Sequence, residues 1–464
     1  MTRAALTTPT ASTPTAVTRR RGRWIDDWRP EDPAFWAGPG RGVARQNLVL
    51  SIVAEHIGFS VWMLWSIVVV QLTAGPGGRA AASGWALSTT QALWLVAVPS
   101  GVGALLRLPY TFAVPLLGGR NWTVLSALLL LVPCAGLVWV VSRPGLGYGV
   151  LLAVAATAGV GGGNFASSMA NISFFYPERA KGWALGLNAA GGNLGVAVVQ
   201  KLVPTLVVAG GGLALSRAGL VYVPLALVAA LLAWLFMDNL TDARADLGPT
   251  LAAAGRGQTW LISFLYIGTF GSFIGYSSAF PTLLKTVFDR PDIALGWGFL
   301  GAGVGSLARP LGGRASDRFG GARVTVAAFA VLAVAAAGAV QAVQARSLPL
   351  FFASFMLLFV GTGVGNGSTY RMIPAIFARA AADAGGDETT VLAHRRQAAG
   401  AIGIASAVGA FGGFLVPLCF AWAKSSTGSI RPALWFFLGV FVLMAATTWW
   451  CYLRPGRRVG GTGA

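Results

Sequence analysis

GVGALLR (101–107) and GVGSLAR (303–309) agree at five of seven positions and lie about two hundred residues apart. Each is rich in glycine, ends in arginine and sits inside a longer apolar stretch. An element repeated at that distance points to a chain of two halves built on one plan. Working outward from the repeat, twelve apolar runs follow one another: 47–72, 87–110, 122–142, 147–175, 182–208, 218–237, 259–286, 294–313, 322–343, 348–377, 399–423 and 433–453. Most reach the roughly 20 residues a helix needs to cross about 30 Å of hydrocarbon. We number them spans 1 to 12. Gly and Ala recur throughout, and small residues let membrane helices approach closely. A transmembrane barrel would instead show alternating segments of about ten residues. The expected class is an all-α membrane protein.

Arg107 then falls in span 2 and Arg309 in span 8. Two more echoes keep the same offset of six spans. GVGGGNF (159–165) in span 4 matches GVGNGST (363–369) in span 10, and ALGLNAAGGNLG (184–195) in span 5 matches AIGIASAVGAFG (401–412) in span 11. The polar stretch MDNLTDARADLGPTLAAAGRGQ (237–258) separates six spans from six. The expected organisation is an N-terminal segment (1–45, with 1–23 disordered), a six-helix bundle (46–237), a central loop (238–258), a second six-helix bundle (259–453) and a tail (454–464). Parallel halves with a site between them near the bilayer midplane are the major facilitator architecture. After span 8, GGRASDRFGGAR (312–323) carries a Gly–Asp–Arg–Gly–Arg loop pattern, in which Gly313, Asp317 and Arg318 are candidate gating residues. The corresponding PLLGGRNW (115–122) lacks the Asp.

The net charge of +19 invites a nucleic-acid reading, but its distribution argues against one. On this threading 22 basic residues fall on one side of the membrane, seven on the other and five inside the spans. That is the positive-inside bias, with both termini cytoplasmic. Basic residues such as RRRGR (19–23) suit contact with the lipid bilayer rather than nucleic acid. The start has no apolar core of a cleaved signal peptide, and WIDDWRPEDPAFW (24–36) is aromatic enough to lie at the membrane surface. Cys134, Cys419 and Cys451 all fall in apolar spans, poorly placed for disulfides or a metal site. The two histidines, His56 and His394, stand far apart. The sequence therefore calls for no cofactor, no metal and no enzyme chemistry.

Five basic residues lie within spans: Arg107, Lys201, Lys285, Arg309 and Arg371. A charge at the bilayer centre costs at least about 2.5–3.5 kcal/mol, so it faces the protein interior or water. Lys201 and Lys285 sit near span ends, where they can snorkel. Arg371 is nearer an inner end, suited to a structural or gating contact. Arg107 and Arg309 are symmetry-related, with no acid nearby in sequence on the hydrophobic side. Either they bond carbonyls of neighbouring helices, or they face each other across a central cavity. In the second case an anion between them removes the repulsion, and the planar guanidinium fork suits planar oxyanions. Asn193 adds a neutral donor.

The chain resembles the NarK-type nitrate/nitrite porters of the major facilitator superfamily. The likeness rests on DWRPEDPAFW (27–36), VWMLWS (61–66), ALLRLPYTFAVPLLGGRNWTV (104–124), NFASSMANISFFYP (164–177), KGWALGLNAAGGNLG (181–195), SFLYIGTFGSFIGYSSAF (263–280), GSLARPLGGRASDRFGGARVT (305–325) and ASAVGAFGGFLVP (405–417). The segments of spans 5 and 11 resemble the two nitrate signature motifs, with Gly186, Gly191, Gly192 and Gly195 in one and Gly409, Gly412 and Gly413 in the other. The resemblance implies a substrate site of Arg107, Arg309, Asn193, Phe165, Tyr266 and Phe270. It implies alternating-access transport of nitrate, nitrite or both across the cell membrane, by a monomer; another small anion is the alternative.

One departure stands out. Span 1 carries Glu55 and His56 where the family's exchangers have apolar residues. Two readings stand: a polar packing pair, or a proton site, since intramembrane acids and imidazoles mark proton relays. The first fits nitrate/nitrite exchange and the second nitrate–proton symport.

Overall fold

The computed structural model describes residues 17–74, 83–243 and 247–454. Segment 1–16 and tail 455–464 lie outside the described residues, as do Arg3, Arg79, Arg244, Arg457 and Arg458 of the charge count. Spans 1 to 12 form as helices. Span 1 is Arg41–Trp62 continued by Trp65–Leu72. Spans 2 to 6 are Thr89–Leu117, Gly119–Val141, Tyr148–Phe175, Glu178–Val208 and Ser216–Phe236. Span 7 is Gly257–Phe288 and span 8 is Phe299–Phe319. Spans 9 to 12 are Gly321–Gln344, Leu348–Asp383, Glu388–Thr427 and Arg431–Leu453. Eleven are long and apolar enough to cross a membrane. Span 8 is the less apolar exception because it carries Arg309, Arg314, Asp317 and Arg318.

Two expectations about loops need correction. The stretch 312–323 is mostly helix: span 8 runs on to Phe319, and the turn is made at Gly320. Gly320 has φ +88°, and its counterpart Gly118 between spans 2 and 3 has φ +89°, a region that glycine enters without steric cost. The polar stretch between spans 10 and 11 is helical too, except near Ala384–Asp387, because alanines favour helix and Asp387 caps the backbone N–H of Thr390.

The sequence echoes become contacts. A Cβ at Gly159 of span 4 would sit 2.8 Å from the backbone N of Gly103 in span 2. A Cβ at Gly363 of span 10 would sit 2.3 Å from the carbonyl O of Gly305 in span 8. Spans 2 and 4, and spans 8 and 10, therefore touch backbone to backbone at equivalent glycines. Spans 5 and 11 repeat the device. Gly195 lies on the His56 carbonyl of span 1, and Gly412 lies on Ile267 and Gly271 of span 7.

The described start of the chain is tied down. Strand β1 (Trp24–Ile25) pairs in parallel with β2 (Asn239–Leu240), Trp24 opposite Asn239. Arg19 and Arg23 both pair with the buried Asp238, at 2.8 and 2.9 Å, and Asn47 accepts from the Asp238 backbone N–H at 2.8 Å. Residues 17–23, expected to lack order with 1–16, thus join span 1 to the central connection. Trp28 packs edge-on against Phe35 and Phe175. Tyr452 donates to Gln258 Oε1 at 2.9 Å, so the end of span 12 lies at the same face. We call this the termini face.

The glycine contacts generate a stability test. Gly363→Ala should cost about 1–3 kcal/mol by overpacking, whereas Gly403→Ala, whose Cβ would meet nothing within 4 Å, should leave thermal unfolding in detergent almost unchanged. Equal melting temperatures for the two variants would contradict the backbone contact.

Candidate functional site

Span 7 supplies the geometry first. It changes to a wide π-turn at Ile267–Gly271, a local irregularity common at functional sites. There Tyr266 and Phe270 stack, 5.3 Å between centroids and 16° between planes. Phe270 in turn stacks on Phe165 of span 4 at 5.8 Å and 28°. Phe59 of span 1 continues the ladder beyond Phe165, and Tyr370 of span 10 continues it beyond Tyr266. This ladder joins the two halves at mid-depth.

Both arginines lie on it. The Arg107 guanidinium carbon sits 4.6 Å from the Phe165 centroid and 4.8 Å from that of Phe270. That of Arg309 sits 5.9 Å from Phe165 and 5.7 Å from Tyr370. Both side chains face the interior, 1% and 6% exposed. Such cation–π contacts are worth more once desolvated, about 2 kcal/mol. Arg107 is partly satisfied by protein: Nε donates to the Gly162 carbonyl at 3.3 Å, and Nη1 donates to the Ser406 carbonyl and hydroxyl at 3.0 and 2.7 Å. Its Nη2, and Nη1 of Arg309, are buried with no hydrogen-bond acceptor from the protein. Two buried cations thus present N–H groups without a protein acceptor beside one ring. Guanidinium N–H groups so placed can donate to a small anion with several acceptor oxygens. Among the described residues, no group of three or more His, Cys, Asp or Glu could hold a metal ion.

The structure brings together Arg107, Arg309, Phe165, Tyr266 and Phe270. Asn193 is buried, its Oδ1 accepts no hydrogen bond, and no described contact links it to either arginine. Asn188, one turn away, donates to Glu55 Oε2 at 2.7 Å and to Ser168 at 2.6 Å. Tyr370 and Ser406 were not singled out by sequence. The offset of six spans was the available signal for both, because it aligns their segments with spans 4 and 5. The signature glycines serve as helix contacts: Gly191 meets Ile52, Gly192 meets Glu55, Gly409 meets Tyr266, and Gly413 meets Ile274. Gly186 faces open space. His56 Nδ1 lies 3.0 Å from the Gly191 carbonyl.

The remaining basic residues divide by depth. Asp317 accepts from Arg371 at 2.6 Å, pairing spans 8 and 10 at the termini face with both partners exposed. Arg318 lies over the Phe319 ring, and Gly313 meets nothing within 4 Å. Lys201 stays exposed over Phe299, as a snorkelling lysine should. Lys285 does not snorkel. It is buried, and its ammonium donates to the carbonyls of Val70 at 2.8 Å and Thr73 at 2.5 Å. Those are orphan acceptors at the end of span 1, where a cation also suits the helix dipole. Gln200 of span 5 donates to the Ser277 carbonyl of span 7 at 2.7 Å. The hydrogen bonds described between the halves are these, the Lys201 contact and Arg107–Ser406. The described form is therefore latched on the face opposite the termini.

Comparison with known proteins shows the family. The Major Facilitator Superfamily model matches residues 48–386. The nitrate/nitrite transporter NarU of Salmonella typhimurium is 41% identical, covering 93% of this chain and 96% of its own. The probable nitrate/nitrite antiporter NarK2 of Thermus thermophilus is 36% identical, covering 94% and 98%. Among solved structures, the D-xylose-proton symporter superposes with a TM-score of 0.67 over 90% of this chain and 98% of its own, at 15% identity. The human organic anion transporter MFSD10 gives 0.60, over 88% and 99%, at 16% identity. At such identities these two share the fold.

The latch can be tested. Lys285→Met leaves two helix-end carbonyls without their donor, a loss of roughly 1.5–3 kcal/mol for a charged hydrogen-bonding group. A single cysteine placed at the far end of span 7 should then react faster with a membrane-impermeant maleimide. Unchanged labelling would show that closure does not depend on Lys285.

Proposed function

Because the chain belongs to the Major Facilitator Superfamily, and within it to the NarU/NarK nitrate/nitrite transporters, we propose that it carries nitrate and nitrite across the cell membrane by alternating access. It is a multi-pass membrane transporter and not an enzyme. The reading places the anion between Arg107 and Arg309, in contact with Phe165, Tyr266 and Phe270. The observation that carries it is the pair of buried guanidiniums with free N–H groups on one aromatic ladder. Nitrate and nitrite are planar, singly charged and rich in acceptors. Two guanidinium forks can meet their oxygens in the plane, while the flanking rings exclude anions wider than a flat one.

The transport cycle follows from the position of the pair. Arg107 belongs to the first half and Arg309 to the second. An anion between them draws the halves together and offsets the repulsion that opposes closure. In the cycle we propose, the anion enters from one face, the halves rock about it, and the Lys285 and Gln200 contacts break as the far face opens. Asn193 of span 5 adds a neutral donor to the anion, a weaker contact than either arginine makes. The site is complete within one chain, so a monomer suffices, with both termini in the cytoplasm and the basic N-terminal segment near the lipid headgroups. The same clamp serves nitrate/nitrite exchange or nitrate–proton symport.

Purified protein in liposomes tests this. Preloaded nitrite or nitrate should drive uptake of labelled nitrate, and preloaded phosphate should not. Arg107→Lys and Arg309→Lys each keep the charge but lose the fork. Each should weaken nitrate binding by about one to two decades, from the roughly 1.5–3 kcal/mol of a charged hydrogen bond. Asn193→Ala should weaken it less. Near-normal nitrate binding by both lysine variants would place the site elsewhere.

A further inference from the structure

The clamp leaves one buried ionisable group without a task. Glu55 is 1% exposed in span 1, and the other buried acid among the described residues, Asp238, lies at the termini face bound to Arg19 and Arg23. Glu55 Oε2 accepts from Asn188, while Oε1 is buried and accepts no hydrogen bond. A carboxylate held this way in an apolar interior is costly unless positive charge stands near. The charges within electrostatic reach are Arg309 of span 8 and Arg107 of span 2.

Pseudo-symmetry fixes which way Glu55 faces. Gly192 of span 5 makes room for the Glu55 carboxylate: a Cβ there would lie 2.3 Å from Oε1. Its counterpart Gly409 of span 11 makes room for the Tyr266 ring, with a Cβ 2.5 Å from Cδ1. One turn on, the equivalent residues Phe59 and Phe270 both pack against Phe165. Glu55 is thus the first half's equivalent of Tyr266, directed at the same centre from the opposite bundle. His56 is turned away from it, toward the Gly191 carbonyl.

We propose that Glu55 carries one proton with each anion, an inference that rests on the anion-clamp reading. With the site empty, ionised Glu55 shares the field of the two guanidiniums, and the buried net charge is one positive. When a nitrate takes that field, Glu55 accepts a proton from water on the entry side. The net charge is again one positive. Anion and proton leave together on the other side, the carboxylic acid returning its proton to water there. Loading either ion alone changes the buried charge by one unit, which a low-dielectric interior resists. The groups facing Glu55 are Arg107 (span 2), Ser168 (span 4), Asn188 (span 5), Arg309 (span 8) and Tyr370 (span 10). No second acid stands among them, so the ratio is one to one and the cycle is electroneutral.

The full chain in liposomes free of internal nitrate and nitrite decides the matter, with the pH gradient set by buffer and the voltage by potassium and valinomycin. Labelled nitrate should accumulate about tenfold per unit of inward pH gradient, the ratio for one coupled proton, and should ignore voltage. An internal pH dye should report one proton per nitrate in the unmodified protein. Glu55→Gln should lose accumulation and acidification while keeping nitrate–nitrate exchange. Three results overturn the inference: uptake that requires internal nitrite and ignores the proton gradient, uptake that responds to voltage, or accumulation that survives Glu55→Gln. Should Glu55→Gln not fold, the dye measurement on the unmodified protein still decides. Absence of any nitrate binding or exchange would instead overturn the anion reading itself.

Discussion

Two guanidiniums buried among aromatic rings at the centre of a membrane protein are an expensive arrangement, and the rest of the molecule follows from making it tolerable. Arg107 draws on the Gly162 and Ser406 carbonyls, the Ser406 hydroxyl and two ring faces. Arg309 has ring faces on two sides. Neither is fully satisfied by protein alone. In the proposed function a small anion supplies that shortfall. Because one arginine belongs to each half, that reading links binding to movement of the halves through a single charge interaction.

Glycine makes the crowding feasible. Equivalent glycines bring spans 2 and 4, and spans 8 and 10, into backbone contact. Others press spans 5 and 11 onto spans 1 and 7, leaving room for Glu55 on one side and Tyr266 on the other. The two halves share a framework but not a chemistry. Where the second half offers a phenol to the centre, the first offers a carboxyl.

Much of this was legible in the sequence, for identifiable reasons. Hydrophobic length gave the spans, and the GVGALLR/GVGSLAR repeat gave the two halves and the arginine pair, because charge in an apolar run has few places to go. Spacing could not show that Lys285 is buried. Its acceptors belong to span 1, some two hundred residues earlier in the chain, and arise from a helix end rather than from a residue type. Helix extension across the polar stretch before span 11 was hidden because span length was read from hydrophobicity, which stops at the membrane surface while the helix does not. Tyr370 and Ser406 were not legible in the sequence, since what places them beside the arginines is the packing of spans 10 and 11. Asn193 and Asn188 share one motif, and only the rotation of span 5 sets Asn188 against Glu55.

The central claim is that one anion bridges Arg107 and Arg309, and a structure determined in saturating nitrate tests it most directly. The account predicts a planar density beside Phe165 within hydrogen-bonding distance of Arg107 Nη2 and Arg309 Nη1, absent when chloride replaces nitrate. Nitrate bound away from both guanidiniums, or an arginine pair unchanged beside an unoccupied centre at saturating nitrate, would contradict it.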